Sequence, residues 1–277
     1  MPSGVAEQIN GKWVGFTDFT EFALQGPGAL PAGLTLRGNA FPNAPNSFSV
    51  VADVTVGRYF AMAGQDTSHW GISYDVFDGL VTQGEFLSRT WIATNLGNRR
   101  VIGPAMMSTD APAAHDLFGG HVFKRSNVDF EAEVGFYLNG GGDSAGGADM
   151  RAAEQAGVWV WTRWQRLPGN PGTSEGVLIK CWYGDYDTEP AGWEFMNANF
   201  TPNIANLNRL GWGFNAVGNA DEQRIAFFAF SEDPSVSIVP PPGGFPSPPG
   251  TPGAPTVVVN PLQDRWVGLE GSAFVVP

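Results

Sequence analysis

Cysteine is nearly absent: the 277-residue chain has one, Cys181, so no intrachain disulfide can hold it together. Its neighbours Lys180 and Trp182 place it in an alternating apolar stretch, where a buried, inert thiol is expected. Charge is scarce as well, at 15% of residues against about 25% in an ordinary soluble chain. The surface must then be covered largely by Ser, Thr, Asn, Gln and Gly, which suits exposure outside a cell better than a crowded cytosol. Fifteen basic residues against 27 acidic ones leave a net charge of −12 and no basic run, which argues against nucleic acid or an anionic membrane surface as partner. No apolar run reaches the ~18 residues of a membrane span, so no membrane insertion is expected. Residues 1–10 show no apolar segment of a secretory signal. The histidines, His69, His115 and His121, lack the close spacing of a zinc site. No phosphate-binding loop, dinucleotide fingerprint or nucleophile elbow is present, because the glycine run at 140–147 lacks the Lys-Ser/Thr ending and the strand-to-helix pattern around it. No metal and no cofactor are expected.

What the chain does have is 43% hydrophobic residues, arranged mostly with a period of two. Val128, Phe130, Ala132, Val134, Phe136 and Leu138 form one face of a stretch whose other face is Asp129, Glu131, Glu133, Gly135, Tyr137 and Asn139. That is the pattern of a half-buried strand. Similar runs occupy 48–56, 84–93 and 224–230, separated by Gly, Asn, Pro and Asp clusters that read as turns. A mobile glycine loop is expected at 140–147 and a short helix over 149–156. Met62, Met106 and Met107 read as core filler. Many strands without helical crossovers predict an all-β, two-sheet antiparallel sandwich with extended termini and exclude a parallel α/β fold.

The ends differ from the middle. Eight prolines and four glycines fall in the sixteen positions 240–255, which predicts an extended, semi-rigid spacer. At ~3.1 Å per residue it could span roughly 50 Å. Apolar residues follow it, among them Val257, Val259, Trp266, Leu269 and Phe274, and they need a surface on which to be buried. Docking on another subunit or a neighbouring protein is expected. Lys12-Trp13-Val14-Gly15-Phe16 matches Arg265-Trp266-Val267-Gly268-Leu269 in pattern, either by chance or because both are docking strands, which adds Trp13 to the candidates. Four parts are expected: an N-terminal extension or anchoring strands at 1–32, the sandwich at 33–239, a linker at 240–255 and a docking segment at 256–277.

The aromatic residues concentrate in the second half. Trp159, Trp161 and Trp164 lie in one alternating run and Trp182 in the next. The loop Asp185-Tyr186-Asp187-Thr188-Glu189-Pro190-Ala191-Gly192-Trp193 and the run Leu210-Gly211-Trp212-Gly213-Phe214 follow. Together with Gly71-Ile72-Ser73-Tyr74-Asp75 and Gly84-Glu85-Phe86-Leu87-Ser88-Arg89, this order resembles the concanavalin A-like (laminin G-like) jelly rolls of bacteriophage virion structural proteins. The resemblance covers residues 33–233 and is clearest in the second half of that stretch. It implies an all-β jelly roll, a scaffold that hosts lectins, glycosidases, adhesion modules and structural domains alike. Independently of it, tryptophans on neighbouring strands can stack across a sheet, and a Gly-x-Gly strand lets a backbone pass close to bulky rings.

Two patterns could carry chemistry. Asp129, Glu131 and Glu133 stand ~7 Å apart in succession on one strand face, whereas retaining glycoside hydrolysis needs two carboxyl groups ~5–5.5 Å apart. The laminarinase-like families of this fold use Glu-x-Asp-x-Glu, and here the order is Asp-x-Glu-x-Glu, which a solvated strand face explains equally. In the loop, Asp185 and Asp187 flank Tyr186 ahead of Trp193, so the four could hold a sugar, or the two aspartates calcium. Asp and Gly also simply make turns. The resulting expectation is a non-enzymatic phage virion structural protein, made in the host cytoplasm, that is a tail, fibre or capsid-decoration module. Its partners would be other virion proteins, copies of itself and, in one alternative, a host-surface glycan bound at Asp185, Tyr186, Asp187 and Trp193. A glycoside hydrolase using Glu131 and Glu133 is the second alternative.

Overall fold

The computed structural model describes residues 1–37, 47–63, 69–80, 84–92, 100–108, 117–124, 130–138, 141–149, 157–167, 175–183, 186–193, 195–200, 207–216, 222–233, 237–239 and 258–260. The strands in chain order begin with β1 (Val5–Ile9), β2 (Lys12–Thr17), β3 (Gln25–Gly28), β4 (Leu34–Arg37), β5 (Ser47–Asp53) and β6 (Gly57–Ala63). They continue with β7 (His69–Tyr74), β8 (Gly84–Ile92), β9 (Arg100–Ser108), β10 (Leu117–Lys124), β11 (Phe130–Leu138) and β12 (Gly141–Asp149). The rest are β13 (Val158–Leu167), β14 (Glu175–Tyr183), β15 (Phe195–Phe200), β16 (Leu207–Ala216), β17 (Gln223–Ser231), β18 (Ser237–Val239) and β19 (Val258–Asn260).

The expected all-β, two-sheet antiparallel sandwich is what these strands build. The larger sheet runs β15-β14-β13-β8-β17-β6-β5-β3, with β2 also paired to β17 and β1 to β2. The smaller runs β12-β11-β10-β9-β16-β7-β4. Its connections are of jelly-roll type, passing repeatedly between the sheets. β16 enters the smaller sheet between β9 and β7 while β17 enters the larger one between β8 and β6. The two strands closest to the C-terminal end of the sandwich therefore close both layers at once. Trp212 of β16 and Phe228 of β17 meet between the sheets with ring centroids 6.1 Å apart, and Phe60 and Phe19 add edge contacts to the same indole at 5.5 and 5.4 Å.

The N-terminal stretch is part of this construction. β2 extends along the β17 edge with Phe16 opposite Ala229 and Val14 opposite Ser231, and both Val14 and Phe16 are fully buried. Trp13 is half-buried in β2 against the core, and its amide donates to the Glu232 carboxylate at 3.0 Å. The turn after β2 drives Phe19 into the core at φ 64°, a left-handed conformation costly for a bulky residue. Packing on Phe60 and Trp212 holds it, as do hydrogen bonds from the Phe19 amide to Thr17 Oγ1 and from Arg58 to the Thr20 carbonyl.

Two expectations change. The glycine run read as a mobile loop forms β12, paired in antiparallel register with β11 from Glu131↔Asp149 to Leu138↔Gly141. Glycine has no side chain to alternate, so the backbone pairing offered by β11 leaves no periodic trace. Asp149, expected to open a helix, ends that strand; residues 150–156 lie outside the described ones. At the other end, β18 pairs with β19, Val239 opposite Val258; the expected linker at 240–255 lies outside the described residues. Gly211 serves a close backbone approach, as expected, but to a strand and not to a ring: a Cβ there would sit 2.0 Å from the Ile72 carbonyl oxygen.

Because Phe16 is fully buried against β17, Phe16→Ala is expected to cost about 3–5 kcal/mol in urea unfolding, the usual range for emptying a buried aromatic site. Leu24→Ala, at a half-exposed position in the same stretch, stays within about 0.5 kcal/mol.

Candidate functional site

The outer face of the larger sheet carries the densest chemistry. Arg166 of β13 reaches Met106 Sδ of β9 at 3.7 Å, so Val160, Thr162, Trp164 and Arg166 face the second sheet. Trp159, Trp161, Arg163 and Gln165 alternate onto the opposite face. Strand register aligns them in rows. Arg89, Trp161 and Trp182 stand side by side on β8, β13 and β14; Leu87, Arg163 and Lys180 form the next row; Glu85, Gln165 and Leu178 the one after. In the first row the Arg89 guanidinium lies 5.1 Å from the centre of the Trp161 ring, and Trp161 stacks on Trp182 at 6.1 Å with planes 16° apart.

The second row is the electrostatic problem. Arg163 and Lys180 are directly opposite like charges, and both are buried. Such a pair repels unless an anion is shared between them. Glu189, in the loop after β14, supplies it. One carboxylate oxygen of Glu189 takes Arg163 Nε at 2.7 Å and Lys180 Nζ at 2.5 Å, and the other takes Arg163 Nη2 at 2.8 Å. Glu85 accepts from Arg163 Nη1 on the other side and from Gln165 Nε2 at 2.5 Å. Lys180 also donates to the Pro190 carbonyl at 3.0 Å. Burial alone would raise the Glu189 carboxyl, but Arg163 and Lys180 outweigh it and hold the group below the usual carboxylate range. Burial would likewise lower Arg163, and Glu85, Tyr186 and Glu189 more than reverse it.

This network fixes the loop that the sequence singled out. Tyr186 turns inward: its ring meets Trp161 edge-on at 5.5 Å and Trp182 at 5.9 Å, and its hydroxyl is contacted by Arg163 Nη2. Burial raises the phenol well above its ordinary value against the pull of Arg163. Tyr186 therefore roofs the tryptophan pair. Trp193 is half-buried at the rim, with Lys180 Nζ 4.7 Å from its ring centre. Asp185 and the side chain of Asp187 lie outside the described residues. Glu131 and Glu133 sit in β11 of the smaller sheet, whereas this loop follows β14 of the larger one; their side chains, and Asp129, are likewise outside. Val259 falls in β19, whereas Val257, Trp266, Leu269 and Phe274 lie outside the described residues. Cys181 is buried on the inner face beside Thr162 Oγ1 at 3.6 Å.

Arg163, Lys180, Glu85 and Glu189 were not singled out from the sequence. The one available signal was charge inside the aromatic runs: Arg163 and Lys180 interrupt strands otherwise too apolar to hold them unpaired.

A second buried carboxylate lies in the turn after β7. Asp78 accepts from Arg37 Nη2 at 3.2 Å and from the Leu210 amide at 3.3 Å, and forms an ion pair with Arg209, whose Nε lies 3.4 Å away, tying β4 and β16 together. Burial outweighs both guanidinium groups and pushes its carboxyl up to about 6.

Arg163→Met leaves the buried Glu85 without its cation and Glu189 with Lys180 alone, and is expected to cost about 3–5 kcal/mol in urea unfolding. A cost below 1 kcal/mol would show that the network holds nothing. Asp78 acts through pH. With its folded value raised above the unfolded 3.8, its contribution is fully present below 3.8 and is lost as pH rises through about 6. The unfolding midpoint of the wild type therefore gains relative to Asp78→Asn as pH falls from 7 to 4. Parallel curves for the two proteins would contradict this.

No protein-family model matches the chain, and no curated protein matches it. Among solved structures it is similar to a protein of unknown function from Shewanella oneidensis MR-1, at 9% identity over 82% of this chain and 87% of that one, with a TM-score of 0.43. It is also similar to a carbohydrate-binding module from Bacillus subtilis, at 10% identity, 73% and 92% coverage and a TM-score of 0.37. A third is the CBM2 module of the evolved Dit of Lactobacillus casei BL23 phage J-1, at 12% identity, 78% and 93% coverage and a TM-score of 0.34.

Proposed function

We propose that the chain is a non-enzymatic structural module of a bacteriophage particle, a concanavalin A-like sandwich that presents a preformed surface to other virion proteins and to copies of itself. The observation that carries the non-enzymatic part is the state of the carboxylates on the outer face of the larger sheet. Glu189 is clamped by Arg163 and Lys180 and held ionised, the reverse of the raised carboxyl that a general acid needs. Glu85 is clasped between Arg163 and Gln165. Both act as struts. The particle assignment is supported by the order of the aromatic strands and by a charge-poor, disulfide-free composition with an apolar C-terminal segment.

A second reading is a lectin-like receptor-binding module. Trp193 favours it, since this indole is half-buried at the rim of a loop already fixed by the network beneath it, and a rigid aromatic rim loses little freedom on binding.

Mass spectrometry of particles purified from the phage that encodes the chain should find it at a fixed copy number per particle. Recovery only from the soluble fraction of the lysate would refute the structural role. On a glycan array, binding that disappears in Trp193→Ala would favour the lectin reading, and an identical profile for the two proteins would remove the loop as its site.

A further inference from the structure

One row beyond the Trp161 pair, the outer face of the larger sheet holds a different constellation. Trp91 of β8 is directly opposite Trp159 of β13, with ring centroids 5.3 Å apart, and Tyr59 of β6 lies 5.8 Å from Trp159. Arg224 of β17 lays its guanidinium against two of these rings, 5.0 Å from the centre of Tyr59 and 5.4 Å from that of Trp91. Its Nε donates to Glu222 Oε1 at 2.5 Å. Trp159 and Tyr59 are buried, Trp91 is half-buried, and the side chains of Arg224 and Glu222 are 31% and 36% exposed.

The unused groups are the informative ones. Among the described residues, neither terminal nitrogen of Arg224 and no second oxygen of Glu222 has a hydrogen-bond partner. A guanidinium resting on two rings and fastened through Nε has lost most of its rotamer freedom before any ligand arrives. It offers two parallel donors at solvent. Beside them the free oxygen of Glu222 offers an acceptor, and Trp91 an apolar flank.

A fork of two donors fits either a carboxylate or a pair of adjacent hydroxyls. Two features favour hydroxyls. Glu222 already compensates the guanidinium charge, and its free oxygen would repel a carboxylate placed in the fork. A hydroxyl can accept from Arg224 and donate to Glu222 at once. The net charge of −12 acts in the same direction by disfavouring anions. The geometry points to a binding site for a neutral saccharide, its vicinal diol held by Arg224 and Glu222 and its C–H face resting on Trp91. This site is separate from the loop carrying Trp193 and does not depend on the chain belonging to a particle.

The test is calorimetric titration of the full chain with neutral oligosaccharides and with uronate-containing ones. At least one neutral saccharide should bind. Arg224→Lys keeps the charge but loses the fork, and affinity should fall about tenfold or more, the worth of one bidentate contact. Glu222→Gln, at an exposed position, should weaken the same ligand several-fold, while Trp193→Ala leaves it unchanged. Near-ultraviolet circular dichroism confirms folding of each variant, and if Arg224→Lys does not fold, Glu222→Gln decides. The proposal is overturned if no neutral saccharide binds the wild type, if only uronates bind, or if the folded Arg224 and Glu222 variants bind as the wild type does.

Discussion

The centre of the larger sheet, β8, β13 and β17, is buried on both faces, and most of what is unusual in the molecule follows from that constraint. A sheet in an antiparallel sandwich ordinarily packs one face and wets the other. Here β17 is buried almost from end to end, and β8 and β13 are nearly so. Every polar side chain on their outer face must then find a partner within the protein. Arg89 rests on Trp161, and Arg163 is enclosed by Glu85, Glu189 and Tyr186. The loop at 186–193 is where it is because the Arg163 and Lys180 charges beneath it require a carboxylate.

That arrangement gives the Trp161 and Trp182 pair and the Glu189 carboxylate structural roles. Aromatic rings beside paired carboxylates suggest sugar chemistry, yet Tyr186 seals the Trp161 and Trp182 pair, and Glu189 is committed to two cations. Buried ion clusters contribute little net stability compared with apolar packing, but they penalise any arrangement that leaves one member unpaired. The network thus specifies a single position for the loop. Polar groups left over on this face lie at its margin, where Arg224 and Glu222 are partly exposed.

Much of the fold was legible in the sequence because strand alternation survives wherever one face differs from the other, as in the stretch containing β11. The Trp159 to Trp164 run was readable as a strand, although both of its faces are buried, because its length and aromatic content leave little else. The site was less legible. That Arg163 opposes Lys180 is a fact of register, and neither residue reveals it alone. Glu189 stands among turn formers and looks like one of them. β12 is built from residues with almost no side chains, and β2 pairs with β17 across more than two hundred residues, a distance that no local pattern bridges. The pairing of β18 with β19 is hidden for the same reason, behind prolines that by themselves indicate extension.

Hydrogen exchange followed by mass spectrometry tests most directly whether the loop is a fixed cover over a doubly buried sheet. The amide of Glu189 is bonded to the Tyr186 carbonyl at 3.1 Å, its carboxylate is held by Arg163 of β13, and the Pro190 carbonyl accepts from Lys180 of β14. Peptides spanning 186–193 should therefore exchange far more slowly than an open loop and approach the protection of β13. Exchange of those peptides at the rate of unprotected chain, with β13 still protected, would contradict the account.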